Sequence, residues 1–177
     1  MKYCSNCGAR VTSRIPSGDD RPRFVCDACQ SIHYENPKIV VGSIPERGDR
    51  ILLCRRAIKP RLGKWTLPAG YLENGESLVE AAKREAYEEA RARLTDLTPY
   101  ALFNLTFVNQ VYVIFRCRLV DHDYRPGAES SEVRLLAEHE IPWDQMAFSS
   151  IRETLKRYFR DRKKGAFPLH MADIAPD

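Results

Sequence analysis

The segment GYLENGESLVEAAKREAYEEARA, residues 70–92, combines an apolar stripe with three carboxylates at helical spacing. Ser77 and Glu80 stand three residues apart ahead of that stripe, which is the pattern of a capping box and predicts that a helix begins there. Four apolar residues fall in one narrow sector at 100° per residue, and we expect this sector to face the core. They are Val79, Ala82, Ala86 and Ala90.

A second face of the predicted helix carries the carboxylates. Glu85, Glu88 and Glu89 occupy positions i, i+3 and i+4, so they lie together, and their like charges repel unless a cation neutralises them. Clustered carboxylate oxygens suit Mg²⁺ or Mn²⁺, and these ions suit phosphate chemistry because they neutralise developing charge and activate water. Acidic residues are common on solvated helices, so the weight of this pattern depends on the residues upstream of it.

Those upstream residues give the segment the spacing of the Nudix box: a glycine, five residues, a glutamate, seven residues, Arg-Glu, two residues and Glu-Glu. The resemblance implies that the Gly70 carbonyl joins the three glutamates as metal ligand. It also implies that a pair formed by Glu76 and Arg84 braces the loop and the helix. One position departs from the family pattern, because Arg91 replaces a glycine two residues after the last glutamate. A left-handed conformation would cost roughly 1 kcal/mol there.

Length and composition predict the number of domains and the broad class of the protein. A chain of 177 residues with 44% hydrophobic residues can form one principal domain and a small appendage. No apolar run reaches the roughly 20 residues of a membrane span, and the N-terminus lacks a signal-peptide segment, so we expect a soluble, cytoplasmic protein. The net charge of the chain is +4, and residues 152–164 contain seven basic and two acidic residues, a net +5. The rest of the chain is therefore close to neutral, which argues against general polyanion binding.

Four of the six cysteines form two CxxC pairs separated by eighteen residues. This spacing allows two knuckle turns to present Cys4, Cys7, Cys26 and Cys29 to one tetrahedral Zn²⁺. The first thirty residues contain too few large apolar side chains for a core, so the metal should supply their folding energy. Zinc ribbons can bind nucleic acid, but the basic residues here are scattered among acidic ones. We favour a structural or dimer-supporting role.

The remaining patterns predict three domain segments: a zinc ribbon at 1–35, a main domain at 36–165 and a C-terminal tail at 166–177. Two strand pairs and one further strand are expected to form a mixed sheet in the main domain. The last helix should begin with a capping box of Ser150 and Glu153. The predicted strands are 39–44 with 51–56, 99–105 with 110–119, and 132–136.

Sequence context predicts roles for a further glutamate, a tryptophan and two cysteines. Relatives in the Nudix family often place another glutamate after the box, and we choose Glu132 over Glu129 because it adjoins a strand, although a solvated loop carboxylate is equally compatible. The preceding polar loop, residues 121–131, is long enough to cover a site. Trp65 is expected to pack in the core in preference to stacking on a base. The buried, unpaired cysteines Cys54 and Cys117 should act as small hydrophobes.

A second resemblance covers nearly the whole chain. The segment IPWDQMAFSSI at 141–151, together with the N-terminal cysteine motifs, is similar to the zinc-ribbon branch of the family that includes FAD and ADP-ribose pyrophosphatases. NADH pyrophosphatases of a related branch carry SQPWPFP after the box. The corresponding segment here, LTFVNQVYVIF at 105–115, lacks it, which disfavours NADH as the preferred substrate.

Together these resemblances imply an α/β/α sandwich with a mixed sheet, preceded by a zinc ribbon. The implied enzyme would use Mg²⁺ or Mn²⁺ to cleave the pyrophosphate of a nucleoside diphosphate linked to another moiety, releasing a nucleoside monophosphate. Two alternatives remain: a non-catalytic regulator that senses a nucleotide or binds nucleic acid, and a hydrolase of capped RNA ends. A homodimer without membrane association is expected from the family, and the sequence does not identify the base-recognition residues.

Overall fold

The computed structural model describes residues 1–120 and 122–176, and the chain divides into two compact units at Pro37 and Lys38. The N-terminal unit is a three-stranded antiparallel sheet in the order β1-β2-β3. Its strands are β1 (Val11–Arg14), β2 (Arg23–Cys26) and β3 (Ile32–His33).

The N-terminal unit contains almost no apolar core. Among its described residues, the buried apolar side chains are Cys4, Pro16, Val25 and Cys26. The four predicted cysteines instead converge, because their sulfur atoms all lie within 4.8 Å of one another. Sulfur atoms this close form the ligand set of a tetrahedral zinc site, so the geometry agrees with the predicted ribbon.

The second unit is built on one mixed sheet in the order β10-β5-β4-β9-β8-β11, with two short strands, β6 and β7, paired to β5 and β4. Both predicted hairpins are present: β4 turns into β5 after Arg47, and β8 pairs antiparallel with β9. The central pair β4 and β9 is parallel. The strands are β4 (Lys38–Arg47), β5 (Arg50–Arg56), β6 (Trp65–Thr66), β7 (Ala69–Tyr71), β8 (Leu94–Leu105), β9 (Gln110–Leu119), β10 (Ser130–Leu136) and β11 (His170–Asp173).

Two helices, α1 (Leu78–Ala90) and α2 (Ser149–Lys164), cover the two faces of this sheet. On β5, Ile51 and Leu53 belong to the apolar cluster of α2, whereas Leu52 and Cys54 belong to a cluster of α1. Successive strand residues point to opposite faces, so the continuous apolar run of β5 follows from burial on both sides. The expected α/β/α sandwich is thereby confirmed.

Helix α1 begins as predicted, with Ser77 at the N-cap and a complete capping box to Glu80. The prediction for Val79 is wrong, because this side chain is 38% exposed whereas Ala81 is fully buried. The buried face also includes Glu85 and is therefore rotated toward the carboxylates, which leaves Val79 at its margin in the first turn.

The C-terminal part of the chain differs from the predictions in two respects. Helix α2 begins at Ser149, and its N-cap is Phe148 without a side-chain cap, so the predicted box of Ser150 and Glu153 is not used. The segment predicted as a tail contributes β11, which pairs parallel with β8. Asp161 holds it in place by accepting hydrogen bonds from the Tyr100 hydroxyl, at 2.8 Å, and from His170.

Candidate active site

The carboxylates of α1 open into a cleft of about 660 Å³ in the second unit, beside the ends of the central strands β4, β5 and β9. Their burial differs, because Glu85 and Glu89 are only 8% and 6% exposed whereas Glu88 is exposed. Capping at Ser77 and packing of the alanine stripe fix the helix, so the helix itself positions all three side chains. The structure thus brings together the three glutamates that the helical spacing had selected.

Gly70 lies on β7 directly against Glu85. A Cβ at this position would lie 2.2 Å from Glu85 Oε1, so any larger residue would displace the Glu85 carboxylate. Glycine therefore lets the backbone and the carboxylate approach the same small volume. The predicted ligand set of Gly70, Glu85, Glu88 and Glu89 shares one cleft, with carboxylate and carbonyl oxygens that suit a hard divalent cation.

Arg84 connects the loop before the helix to the glutamate cluster. It forms two hydrogen bonds to Glu76, at 2.9 and 2.7 Å, and donates to the Tyr71 carbonyl at 3.0 Å. The same guanidinium also reaches Glu85 at 2.7 Å and Glu88 at 3.1 Å, contacts that sequence reasoning missed. Arg84 lowers the pKa of Glu76 to about 2. The brace predicted for the loop therefore also orients two members of the cluster.

Burial changes the ionisation of the two inner glutamates. It raises the pKa of Glu89 to about 8, with a further contribution from the neighbouring Glu85 carboxylate, while Arg56 acts in the opposite direction. Burial likewise raises the pKa of Glu85, against the effect of Arg84. Buried carboxylates are costly unless they are paired or bind a cation. The cleft therefore gathers carboxyl groups whose ionised forms a divalent cation would stabilise, and the residues fit Mg²⁺ or Mn²⁺.

The structure does not bring Glu132 to this cleft. Glu132 forms ion pairs with Arg134 and with Arg55, the latter at 3.6 Å, and lines a separate pocket beside Trp65. Glu129 lines the cleft instead, and its charge contributes to the raised pKa values of Glu85 and Glu89. A register shift between Ser130 and Glu132 separates the loop from the regular strand, and sequence spacing gave no signal of that irregularity.

The same cleft carries cationic and aromatic side chains that the sequence did not identify. Arg56, the last residue of β5, donates to the Pro60 carbonyl at 2.9 Å and stacks over Phe148 at 5.3 Å. Tyr71 and Tyr112 line the same cleft. Phe148 belongs to the AFSSI segment, but the sequence of that segment did not predict a position in the cleft. As predicted, Trp65 is instead buried in the core.

Arg91 adopts the left-handed conformation that the family pattern assigns to glycine. Its φ is 52°, its amide bonds to the Ala86 and Tyr87 carbonyls, and its guanidinium lies 5.1 Å from the Tyr87 ring centre. The helix therefore ends as it would with glycine, and the glutamates keep their register.

Comparison with known proteins supplies the family. A family model described as "NUDIX domain" matches residues 36–158, and another described as "Nudix N-terminal" matches residues 2–35. The chain belongs to the NUDIX family. It is similar over 98% of its length to the crystal structure of a NUDIX hydrolase from Nitrosomonas europaea, with 51% identity, 99% coverage of that chain and a TM-score of 0.95.

Curated NUDIX relatives are more distant. The chain is 27% identical to the human mitochondrial NAD(P)H pyrophosphatase NUDT13 over 95% of its own length and 45% of that protein. It is 35% identical to the NAD-capped RNA hydrolase NudC of Edwardsiella ictaluri over 54% of its length and 35% of that protein. The chain thus spans about half or less of these two relatives. Among the described residues, no helix has the length and apolar character needed to cross a membrane.

Proposed function

We propose that this NUDIX chain is a metal-dependent hydrolase that cleaves the pyrophosphate of a nucleoside diphosphate linked to another moiety. The observation that supports it is that Gly70, Glu85, Glu88 and Glu89 line one cleft, with Glu85 against Gly70 and with Glu85 and Glu89 buried. Buried carboxylates stay ionised only when cations are close to them, and the cleft volume lies within the range of about 300–1,000 Å³ that is typical of small-molecule sites.

Gly70, Glu85, Glu88 and Glu89 would hold Mg²⁺ or Mn²⁺. When bound, these ions neutralise charge on the diphosphate and lower the pKa of water. Arg84 orients Glu85 and Glu88, and it neutralises part of the cluster's charge. The ribbon cysteines Cys4, Cys7, Cys26 and Cys29 would hold the structural Zn²⁺, in agreement with their convergence.

Glu129 is the residue we assign to accepting the proton of the attacking water, in place of Glu132. It lies on the cleft side of the loop, and the neighbouring carboxylates sense its charge. In the same cleft, Arg56 offers a cation to the diphosphate, while Tyr71, Tyr112 and Phe148 offer aromatic faces to a base or a flavin. The proposed reaction therefore uses side chains beyond the glutamate cluster.

Glu129→Gln and Glu132→Gln form a matched pair that tests this assignment. Loss of a positioned general base costs about 10² to 10⁴ in rate, so Glu129→Gln should lose at least about 100-fold in kcat while Glu132→Gln keeps the wild-type value. Equal losses in both variants, or a loss confined to Glu132→Gln, would contradict the assignment.

The substrate is best identified by a panel of FAD, ADP-ribose, NADH, diadenosine polyphosphates and nucleoside triphosphates, each with Mg²⁺ and Mn²⁺. We expect FAD or ADP-ribose to be preferred, since the segment at 105–115 lacks the SQPWPFP motif. Release of nucleoside monophosphate from none of these compounds would contradict the proposed function.

An RNA substrate is the second candidate, because several curated relatives are named NAD-capped RNA hydrolases. RNA carrying a 5′ NAD cap should be added to the panel, with uncapped RNA as control. Steep salt dependence of binding would indicate phosphate contacts along the RNA. A gel shift with RNA or DNA without any hydrolysis would instead support the regulator. The homodimer and the cytoplasmic location stay predictions.

A further inference from the structure

Gly127 lies in the loop that carries Glu129, and this loop runs against the last turn of α1. The Gly127 amide donates to the Glu89 carbonyl at 2.9 Å, and the Arg125 amide donates to the Ala90 carbonyl at 2.9 Å. The last four carbonyls of a helix have no partner within the helix. The loop therefore caps the end of the helix that carries the glutamate cluster.

No side chain can be added at Gly127 without separating the two backbones. A Cβ at this position would lie 1.6 Å from the Glu88 carbonyl oxygen and 2.8 Å from its carbonyl carbon. Carbon and oxygen atoms in contact normally lie about 3.3 Å apart, so alanine would push the loop away by more than about 1 Å. The obstructing atoms belong to the backbone of a packed helix and cannot rotate aside. Glycine is required here by close approach and not by a left-handed φ.

The other end of the loop is tied to the sheet. The Glu129 carbonyl accepts from the Ala57 amide at 2.8 Å, immediately after β5, and the Ser130 amide donates to the Gly127 carbonyl at 3.2 Å. Glu129 is thus fixed between the end of α1 and the end of β5. Its position depends on both anchors, because the residues between them form one short turn.

We propose that Gly127 is a positioning residue, whose contact with the Glu88 carbonyl seats the loop on α1 and so places the Glu129 carboxylate beside the glutamate cluster. The inference rests on the proposed function, since Gly127 acts through Glu129. A side chain at position 127 lifts the loop from the helix and withdraws the carboxylate from the cleft.

A double-mutant cycle with Gly127→Ala and Glu129→Gln tests the coupling. Gly127→Ala should lower kcat at least about tenfold, within the range expected for a displaced general base. The double variant should show the kcat of Glu129→Gln alone, because a residue that acts only through Glu129 adds nothing once Glu129 is lost. Wild-type kcat in Gly127→Ala, or losses that multiply in the double variant, would overturn the proposal.

Gly48→Ala is the matched control. Gly48 lies in the β4–β5 turn at a φ of +58°, and a Cβ there meets nothing within 4 Å, so alanine strains the fold without touching the cleft. We expect a lower melting temperature with an unchanged kcat. If Gly127→Ala does not fold, Pro126→Gly takes its place in the cycle, because it loosens the same turn without a clash. A smaller loss of kcat is then expected, again absent in the Glu129→Gln background, and an additive loss would overturn the proposal.

Binding of Mn²⁺ to the full chain, followed by electron paramagnetic resonance, separates this inference from the proposed function. Gly127→Ala and Glu129→Gln should weaken Mn²⁺ binding by the same factor, about tenfold, because each removes one carboxylate from the surroundings of the metal. If the wild-type protein hydrolyses none of the substrates, the proposed function fails while this comparison still decides the positioning role. Unchanged Mn²⁺ affinity in Gly127→Ala together with weakened affinity in Glu129→Gln would contradict it.

Discussion

The ribbon and the NUDIX domain each gather side chains that suit a metal ion, but the two clusters differ in their relation to the surrounding apolar core. In the ribbon, four sulfur atoms lie within 4.8 Å in a unit with almost no buried apolar residues. In the NUDIX domain, the glutamates border three apolar clusters that cover both faces of the sheet. In the ribbon the cysteine cluster takes the place of an apolar core, whereas in the NUDIX domain the apolar core holds the helix that carries the carboxylates.

The charged residues of the ribbon fit this structural role. Arg23 pairs with Asp19 at 2.9 Å, and Arg14 pairs with Asp27 at 3.4 Å. Arg23 also lowers the pKa of Asp19 to about 2. Two of the ribbon's basic side chains are thus paired with acidic residues of the ribbon, which reduces the positive surface that it could offer to nucleic acid.

The largest expected difference between the ribbon and the NUDIX domain is in their stability when metal is removed. Structural zinc contributes roughly 10–16 kcal/mol to the folding of small ribbons, so chelation or Cys26→Ser should unfold residues 1–35. The NUDIX domain should stay folded without Mg²⁺ because its core remains. Heteronuclear NMR would show collapsed ribbon resonances beside unchanged NUDIX resonances, restored by Zn²⁺ but not by Mg²⁺. A ribbon that stays ordered without zinc would contradict the distinction.

Glu89→Gln should separate activity from stability within the NUDIX domain. Loss of a metal-binding carboxylate removes several kcal/mol of transition-state stabilisation, so hydrolysis should fall about 10³-fold. The metal-free protein should unfold at the same or a higher temperature, because glutamine removes the free-energy cost of burying a carboxyl group that must either bind a proton or carry its charge near Glu85. Glu153→Gln on α2 is the control and should retain activity. Full activity of Glu89→Gln would exclude the proposed metal site.

The raised pKa values predict a pH dependence of stability for the metal-free NUDIX domain. Glu89 has a pKa of about 8 in the folded state and an ordinary value of 4.5 when unfolded, so the folded state binds the extra proton between these limits. The contribution of Glu89 to the free energy of unfolding should therefore be greatest below pH 4.5. It should fall by up to about 1.4 kcal/mol per pH unit as the pH rises toward 8.

Denaturant unfolding at several pH values would measure this slope. In Glu89→Gln the slope should flatten, and saturating Mn²⁺ should flatten it in the wild-type protein because the cation favours the ionised carboxylate. A metal-free wild-type domain whose stability rises between pH 5 and 8 would show that other groups dominate.

Arg91→Gly gives the smallest expected effect. Relief of the left-handed backbone should stabilise the domain by about 1 kcal/mol, partly offset by loss of the contact with Tyr87, worth about 0.5 kcal/mol. Thermal unfolding should therefore rise by a few degrees at most, with hydrolysis unchanged. A drop in activity would show that Arg91, which lines the cleft, contacts the substrate.

The sequence by itself predicted the features that depend on local spacing. The capping box at Ser77, the helix with Glu85, Glu88 and Glu89 on one face, and the two CxxC pairs follow from the repeat of a helix or of a knuckle turn. Short apolar and β-branched runs separated by polar turn residues likewise predicted both hairpins. These features required no knowledge of distant contacts.

Tertiary structure alone decided the features in which distant segments meet. Glu129 faces the cleft and Glu132 does not, because Gly127 seats the loop on α1 and a register shift precedes the regular part of β10. Arg56 and Phe148 are separated by ninety-one residues yet form one wall. The exposure of Val79 depends on how α1 is rotated on the sheet. The spacing of residues along the chain predicts local structure such as helices and turns. The packing of elements that are distant in sequence determines which side chains share a site.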